Sequence, residues 1–218
     1  MSAIRLGTRA STLATTQSEM VAGLLRSEGL DVNLTTITTH GDTSTASLAA
    51  MGGIGVFASA IRAALLEGEA DIAVHSFKDL PTGRPLGLAI GAVPARADPR
   101  DALVARDGLT LHDLPQEASV GTGSPRRAAQ LLAVRPDLTI VDIRGNVDTR
   151  LGRVKGLGRY AKNGGKEDLD AVVLAASGLA RLGHSGAVTE FLDPSVVLPA
   201  PAPVSYTHLR AHETDSYL

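Results

Sequence analysis

Short apolar runs alternate with segments of helical hydrophobic spacing along most of the chain, and this alternation constrains the fold more than any other feature. The runs 4–8 and 32–39 are predicted strands, and the stretch 11–28 between them is a predicted helix. A strand, a helix and a second strand in this order indicate a βαβ unit, because parallel strands need a crossover connection. The sequence therefore predicts an α/β fold with mainly parallel, mixed sheets.

The alternation continues on both sides of a segment rich in proline and charge at 93–100, which predicts a crossing between two domains. We expect domain 1 to comprise 1–95 plus 195–203, domain 2 to comprise 96–194, and 204–218 to be a disordered tail foreign to the rest. The tail holds two of the six His and two of the three Tyr, without apolar periodicity. Further strands are predicted at 71–75, 86–93, 119–121, 138–143 and 171–175, and helices at 57–66, 125–134, 146–155 and 177–182.

The composition argues against several classes of protein. A net charge of -2 argues against a general nucleic-acid binder. The absence of Cys excludes disulfides and thiolate metal sites, and the six His show no metal-ligand spacing. No apolar stretch reaches the ~18 residues of a membrane span, and the N-terminus lacks the features of a signal peptide. We therefore expect a cytoplasmic protein with no metal, nucleic-acid or membrane partner. We also expect the protein to be a monomer.

Arginine is concentrated in one part of the chain. Of the 21 basic residues only four are Lys, and 126–159 contains seven Arg and one Lys against three Asp. The planar guanidinium group suits bidentate recognition of carboxylate or phosphate. A GC-rich genome would also favour Arg, but it would not explain the clustering. The glycine-rich, basic segment 156–166 within this region is predicted to be a mobile loop.

Polar and basic residues follow three predicted strands at the points where helices begin. Backbone N–H groups at a helix start favour an anion, and glycine lets a ligand approach the backbone closely. Arg in the first turn opposes the helix dipole, a conflict that a bound anion would resolve. The alternative is plain helix capping. The candidate binding residues are Arg9 and Ser11; Thr122, Gly123, Ser124, Arg126 and Arg127; and Arg144, Gly145, Asn146 and Arg150.

The predicted strand 71–75 ends in a turn crowded with Ser76, Lys78 and Asp79. Ligand sites of open α/β sheets lie beyond the carboxyl ends of strands, so Asp79 is a candidate acid or electrostatic partner. The alternative is a solvated turn with a Lys78–Asp79 ion pair of little energetic value. Residues 40–42 open a loop with glycines at 52, 53 and 55, which would suit a lid.

Together these segments resemble the porphobilinogen deaminase (hydroxymethylbilane synthase) family, almost continuously from residue 4 to about residue 202. Each stretch alone is a weak signal, whereas the joint pattern is specific. The matching stretches are Thr8-Arg9-Ala10-Ser11, Thr39-His40-Gly41-Asp42, the run 70–81 around His75-Ser76-Phe77-Lys78-Asp79, the run 96–102 ending Arg100-Asp101-Ala102, the run 120–127 ending Ser124-Pro125-Arg126-Arg127, Arg144-Gly145-Asn146-Val147-Asp148-Thr149-Arg150, and Leu198-Pro199-Ala200.

The resemblance implies two hinged α/β domains like those of type II periplasmic binding proteins, with the active site between them, and a third α+β domain that is missing here. In that family a Cys of the third domain holds a dipyrromethane cofactor through a thioether. The enzyme condenses four porphobilinogen molecules to hydroxymethylbilane and releases ammonia. By matching motif, Asp79 would be the catalytic carboxylate, which holds pyrrole N–H groups and stabilises the cation formed as ammonia leaves. The five candidate arginines would bind acetate and propionate groups, with polar contacts from Ser76, Lys78, Thr122 and Ser124.

The chain departs from the family pattern in three places. Ala50 and Ile54 stand where many members have lysines, and Pro203-Val204-Ser205 replaces a continuation with Gln-Gly. No Cys is present, so the cofactor cannot be attached to this chain. We therefore expect the chain to be incomplete and inactive alone. Two alternatives stay open: a two-domain anion- or carboxylate-binding protein of the solute-receptor type, and a regulatory ligand-binding domain.

Overall fold

The computed structural model describes residues 2–37, 58–80, 83, 86–201 and 206–211, with Lys78 and 206–211 described by their backbone alone. Contacts divide the chain into two compact units, Met1–Ala97 with Ala202–Leu218, and Asp98–Pro201. The sequence predicts the first boundary two residues earlier and assigns 195–203 to domain 1. Residues 195–201 instead fall in the second unit, because Val197 is fully buried in that unit's core.

The first unit contains a five-stranded mixed sheet with the strand order β2-β1-β3-β10-β4. β1 pairs in parallel with both β2 and β3, as the predicted βαβ pattern requires. Leu6 of β1 and Val32 of β2 pack against Val21 and Ala22 of α1. The elements are β1 Ile4–Arg9, α1 Thr12–Ser27, β2 Val32–Ile37, α2 Ser59–Leu66, β3 Ile72–Ser76, β4 Leu88–Ala92 and β10 Tyr206–Ala211.

Residues 206–211 differ from the disordered tail that the sequence predicts. Strand β10 runs antiparallel between β3 and β4, so its backbone groups pair on both sides. Backbone pairing needs no particular side-chain pattern, which is why the missing apolar periodicity did not indicate this strand. That the tail is foreign to the rest of the chain stays a prediction.

The second unit contains another five-stranded mixed sheet, with the order β7-β6-β8-β5-β9. β6 pairs in parallel with β7 and β8, and β5 runs antiparallel to β8 and β9. Each sheet thus has three parallel strands, then an antiparallel strand, then an edge strand. The elements are β5 Asp101–Ala105, β6 Ser119–Gly121, α3 Pro125–Val134, β7 Thr139–Val141, α4 Val147–Leu151, β8 Ala171–Ala175, α5 Ala176–Arg181 and β9 Glu190–Phe191.

The central strands β5 and β8 are buried on both faces. Leu103 and Val173 point into one apolar cluster of the second unit, while Val104 and Val172 point into the other. This period of two between faces is the geometry of an extended strand. Sequence analysis missed β5 because its five residues directly follow the proline-rich crossing segment. It also missed β9, which is only two residues long.

Two predicted elements of the second unit differ from the structure. The helix predicted to end at 155 ends at Leu151. Gly152 caps it, and the N–H of Gly152 donates to the backbone carbonyl of Asp148. The segment predicted to be a mobile loop contains a 3-10 helix, Gly158–Tyr160, and the amide N–H of Gly158 donates to Glu167 Oε1 at 2.8 Å. Only glycine fits at 165, because a Cβ there would meet backbone atoms of Gly152.

Candidate functional site

Most of the candidate binding residues follow the neighbouring strands β6 and β7 of the second unit. The two strands are parallel, so their carboxyl ends lie at the same edge of the sheet. Thr122, Gly123 and Ser124 follow β6, and the run 144–146 follows β7. A Cβ built on Gly123 would lie 2.7 Å from the carbonyl oxygen of Ile143, so the two loops are in contact. The structure therefore brings the second and third predicted motifs together.

Three candidate polar residues act as helix caps. The hydroxyl of Ser11 accepts the N–H of Ala14 at 3.4 Å, that of Ser124 accepts the N–H of Arg127 at 3.5 Å, and Asn146 Oδ1 accepts the N–H of Thr149 at 2.8 Å. Capping therefore accounts for these side-chain oxygens without a ligand. The hydroxyl hydrogens of the two serines can still be donated. Thr122, which is 3% exposed, accepts the N–H of Ser124 at 3.2 Å and so shapes the same loop.

An internal carboxylate holds the two arginines at the start of α3. Asp101 Oδ2 accepts from Arg126 Nη2 at 2.8 Å, and Asp101 Oδ1 accepts from Arg127 Nη2 at 2.6 Å. The Asp101 side chain is 4% exposed. Arg127 Nη1 also donates to the carbonyl of Val173, and Arg126 Nη1 to that of Leu198. Asp101 thus supplies part of the negative charge that sequence analysis expected from a ligand alone.

Asp101 has no predicted role, although it lies in one of the matching stretches. Burial raises the pKa of the Asp101 carboxyl, but hydrogen bonds and positive charge from Arg127 and Arg126 outweigh burial and leave that pKa below its usual value. An acidic residue at the start of an otherwise apolar strand could have indicated a buried partner. Asp101 is therefore ionised at neutral pH and fixes both guanidinium groups.

Arg144 and Arg150 bring further positive charge to the same edge of this sheet. Arg150 Nε donates to the carbonyl of Gly145 at 2.8 Å. Burial lowers the pKa of the Arg150 guanidinium, and the positive charges of Arg127 and Arg144 lower it further, with an opposing contribution from Asp142. Among the residues that the structure describes, no carboxylate forms an ion pair with Arg150. We call Arg126, Arg127, Arg144 and Arg150 the arginine cluster.

The glycines of these loops are required by packing. A Cβ at Gly121 would lie 2.6 Å from Leu169 Cδ1, and one at Gly123 would meet the backbone of Ile143. Gly145 has a φ of +100° and lies close to Thr149. Gly123 is predicted to let a ligand approach the backbone closely, and the carbonyl of Ile143, in the loop after β7, lies where a side chain at this position would be.

The first unit carries the remaining candidates at the carboxyl ends of β1 and β3, which are parallel neighbours. Arg9 ends β1 and Ser76 ends β3, so both lie at one edge of this sheet. Asp79 is half-buried in the 3-10 helix Phe77–Asp79 that follows β3 directly. The side chain of Lys78 is not among those described, so its predicted pairing with Asp79 stays a prediction.

His75, which precedes Ser76 in β3, is 5% exposed. Burial lowers its pKa to about 4, with further lowering by the positive charges of Arg62 and Arg9. Its imidazole is therefore neutral at pH 7, and among the described residues its buried Nε2 has no hydrogen-bond partner. No role was predicted for Arg62, because a single basic residue on an apolar helix is a weak signal, or for His75, which lies within a buried strand.

The residues proposed as a lid, including His40, Asp42, Ala50 and Ile54, lie outside the described residues. Across the described ranges no group of three or more His, Asp or Glu could hold a metal ion. Within the same ranges, no helix combines the length and apolar character needed to cross a membrane.

Two solved structures with the same fold are those of a substrate-binding and a nutrient-binding protein. A periplasmic substrate-binding protein of an ABC transporter from Coxiella burnetii is 16% identical, with a TM-score of 0.53 over 95% of this chain and 84% of that one. A nutrient-binding protein from Burkholderia cenocepacia bound to methionine is 15% identical, with a TM-score of 0.54 and the same coverage. These likenesses establish the type II periplasmic-binding-protein fold.

Sequence comparison identifies much closer relatives. The family described as "Porphobilinogen deaminase, dipyromethane cofactor binding domain" matches residues 4–204. Porphobilinogen deaminase from Micrococcus luteus is 56% identical over all of this chain and 60% of its own length. The Leifsonia xyli protein of the same name is 58% identical over 91% of this chain and 58% of its own length. The chain thus spans about 60% of the length of these relatives, and it belongs to the porphobilinogen deaminase family.

Proposed function

We propose that this chain forms the substrate- and cofactor-binding part of a hydroxymethylbilane synthase, a transferase of tetrapyrrole biosynthesis that acts as a monomer in the cytoplasm. Such an enzyme condenses four porphobilinogen molecules stepwise to hydroxymethylbilane, and each condensation releases ammonia. Family membership supports the reaction class. The observation that carries the proposal is the arginine cluster, in which the pKa of Arg150 is lowered by burial and by the charges of its neighbours.

The electrostatics of the cluster suit a ligand with several carboxylates. Asp101 compensates one positive charge of Arg126 and Arg127, and within the described residues no carboxylate forms an ion pair with Arg150. A carboxylate ligand stabilises such a group, because charge-assisted hydrogen bonds to guanidinium are strong and geometrically specific. Each pyrrole ring of porphobilinogen carries an acetate and a propionate. A growing chain of pyrroles therefore brings two carboxylates with every unit.

The residues of this chain also fit the dipyrromethane group that its family uses, since they offer several fixed cations to a polycarboxylate. Arg126, Arg127, Arg144 and Arg150 would hold its carboxylates, with polar contacts from Thr122 and Ser124. When bound, this group supplies the pyrrole carbon to which the first substrate is joined. In the family it is attached through a Cys, and this chain contains none.

Asp79 would carry the chemistry from the first unit. Its carboxylate would accept pyrrole N–H groups and stabilise the positive charge that develops as ammonia leaves, which is electrostatic stabilisation directed at the transition state. Arg9, Ser11 and Ser76, at the same edge of that sheet, would orient the substrate carboxylates, and Lys78 would assist. The neutral His75 places no additional charge behind this turn.

A chimaeric enzyme tests this proposal. Residues 1–203 would be joined to the part of the Micrococcus luteus relative that lies beyond the matched region, and porphobilinogen consumption and ammonia release would be measured. We expect turnover by the chimaera and none by the 218-residue chain alone. Asp79→Asn should lower the chimaera's kcat about 100-fold or more, as loss of a group that stabilises transition-state charge does.

Asp71→Asn is the matched control, because Asp71 lies in the same matching run, 70–81, as Asp79. It pairs with Arg5, and both of these side chains are more than 40% exposed. Its turnover should equal that of the unmodified chimaera. If Asp79→Asn were as active as Asp71→Asn, the assignment of Asp79 would be wrong. If the folded chimaera bound porphobilinogen reversibly without releasing ammonia, the chain would instead be a carboxylate-binding protein.

A further inference from the structure

His184 lies outside every motif that the sequence singled out, yet it contacts one of them. Its Nε2 lies 2.6 Å from Oδ1 of Asp148, a residue in the first turn of α4. Both side chains are only partly exposed, at 21% and 34%. The backbone of His184 is fixed on both sides, since its N–H donates to Leu179 and its carbonyl accepts from Ala187. A short contact between two half-buried groups on fixed backbone is a structural link between α4 and the turn after α5.

A third segment joins this link. The ring of Tyr160 meets the imidazole edge-on, with 5.1 Å between centroids and 82° between planes. Tyr160 also packs against an apolar cluster of the second unit, and the guanidinium of Arg159 lies 5.0 Å from its ring centroid. We call His184, Asp148 and Tyr160 the imidazole clamp. It connects α4, the turn after α5 and the basic loop that follows α4.

Helix α4 needs such an anchor. It has five residues, and helices this short are not stable without tertiary contacts. Leu151 is fully buried and holds one side of the helix in the core. Val147, four residues earlier on the same face, packs against the same apolar cluster as Leu151. The Asp148–His184 contact adds a polar tie on another side of the helix, and this tie fixes the rotation of the helix about its own axis.

The clamp and Arg150 occupy different sides of α4. Residues two apart in a helix point in nearly opposite directions, since each residue turns the chain by about 100°. His184 therefore holds Asp148 without occupying the side on which Arg150 would meet a ligand. Arg150 Nε in turn donates to the carbonyl of Gly145, which ties its guanidinium to the loop before the same helix.

We propose that His184 is a positioning residue, which fixes the rotation of α4 through Asp148 and thereby the direction in which Arg150 presents its guanidinium to a carboxylate ligand. It does not touch the ligand itself. This inference rests on the proposed function of the arginine cluster and adds to it a residue that carries no ligand contact.

The test uses the full 218-residue chain and a dipyrromethane that carries acetate and propionate groups as the probe. Calorimetric titration should show about tenfold weaker binding by His184→Leu, since a hydrogen bond to a charged group contributes about a factor of ten or more. His184→Gln keeps an N–H donor and should recover most of the affinity. His112→Leu, at a position whose side chain is 98% exposed in the same unit, is the control and should bind like the unmodified chain.

A double-mutant cycle tests whether His184 acts through Asp148. His184→Leu combined with Asp148→Asn should bind the probe no more weakly than the weaker single variant. Amide hydrogen exchange of Val147–Leu151, measured without probe, should be faster in His184→Leu than in the control.

These measurements separate the inference from the proposed function. If the unmodified chain did not bind the probe, the proposed function would fail, while exchange would still report on the clamp. If it bound the probe and His184→Leu bound equally well, the positioning role would be overturned, whatever the exchange rates. Full additivity in the cycle would likewise overturn action through Asp148.

Discussion

Replacing Asp101 by Asn removes the charge that the structure places between two arginines. The carboxylate accepts from Arg126 and Arg127 at 2.8 and 2.6 Å, and its side chain is 4% exposed. An Asn side chain keeps one oxygen but turns an N–H group towards guanidinium donors. Loss of one partner from a buried ion pair costs about 3–5 kcal/mol, because the opposite charge stays buried without compensation.

That loss is large against the total stability of a domain, which is about 5–15 kcal/mol. For a unit of this size each kcal/mol corresponds to roughly 4–8 °C, so the melting temperature of the second unit should fall by roughly 12 °C or more. Guanidinium denaturation measures the loss of unfolding free energy, and thermal melting measures the fall in melting temperature. Both are followed by circular dichroism. Asp98→Asn is the matched control, because Asp98 pairs with Arg100 in the same segment and both side chains are more than a third exposed. Its effect should be small.

The effect of Asp101→Asn should also depend on pH with a definite sign. The folded-state pKa of Asp101 is lowered, so its stabilising effect is present above the unfolded pKa of about 3.9 and is lost as the pH falls through the folded value. The difference in unfolding free energy between the two proteins should therefore be constant from about pH 5 to 8 and shrink below about pH 4. Equal destabilisation by Asp101→Asn and Asp98→Asn at pH 7 would refute the role given to this carboxylate.

Three further changes have defined outcomes. Gly123→Ala should destabilise the second unit by about 1–3 kcal/mol in thermal melts, because its Cβ would meet the carbonyl of Ile143; an unchanged melting temperature would contradict that packing. Arg150→Met should leave the unfolding free energy unchanged or higher, since a desolvated cation among cations is removed, yet weaken binding of a dipyrromethane tetracarboxylate about tenfold or more in titration calorimetry. Asp170→Asn should lower the denaturation midpoint more than Asp168→Asn. Asp170 is 11% exposed and accepts hydrogen bonds from Lys155, Arg106 and Ser119, whereas Asp168 is 42% exposed. Equal midpoints for the two variants would count against this hydrogen-bond network.

The sequence predicted the parallel parts of both sheets because each has a local signal. The runs 72–74 and Ala171–Ala175 are apolar and follow helix or turn residues, which is the pattern of a buried parallel strand. The antiparallel strands lacked such a signal. Asp101–Ala105 begins with a charge after a proline-rich crossing, and the order in which its neighbours pair depends on contacts distant in sequence.

In the candidate site, too, some features have a local sequence signal and others depend on contacts between residues distant in sequence. The Ser124-Pro125 start of α3 was predictable, because a Ser cap and a Pro in the first turn are local signals. That Arg126 and Arg127 share Asp101, about 25 residues earlier in the chain, follows only from the pairing of β5 with β8. The Asp148–His184 contact spans 36 residues and was equally inaccessible to local patterns.

Calorimetric titration of a tetracarboxylate dipyrromethane into the 218-residue chain, at about 50 and 200 mM NaCl, measures whether the arginine cluster binds a polycarboxylate. We expect saturable binding that weakens as salt screens the arginine cluster, and that weakens further in Arg150→Met. Absence of binding, or binding that neither salt nor the loss of Arg150 changes, would show that the arginine cluster does not recognise the carboxylates.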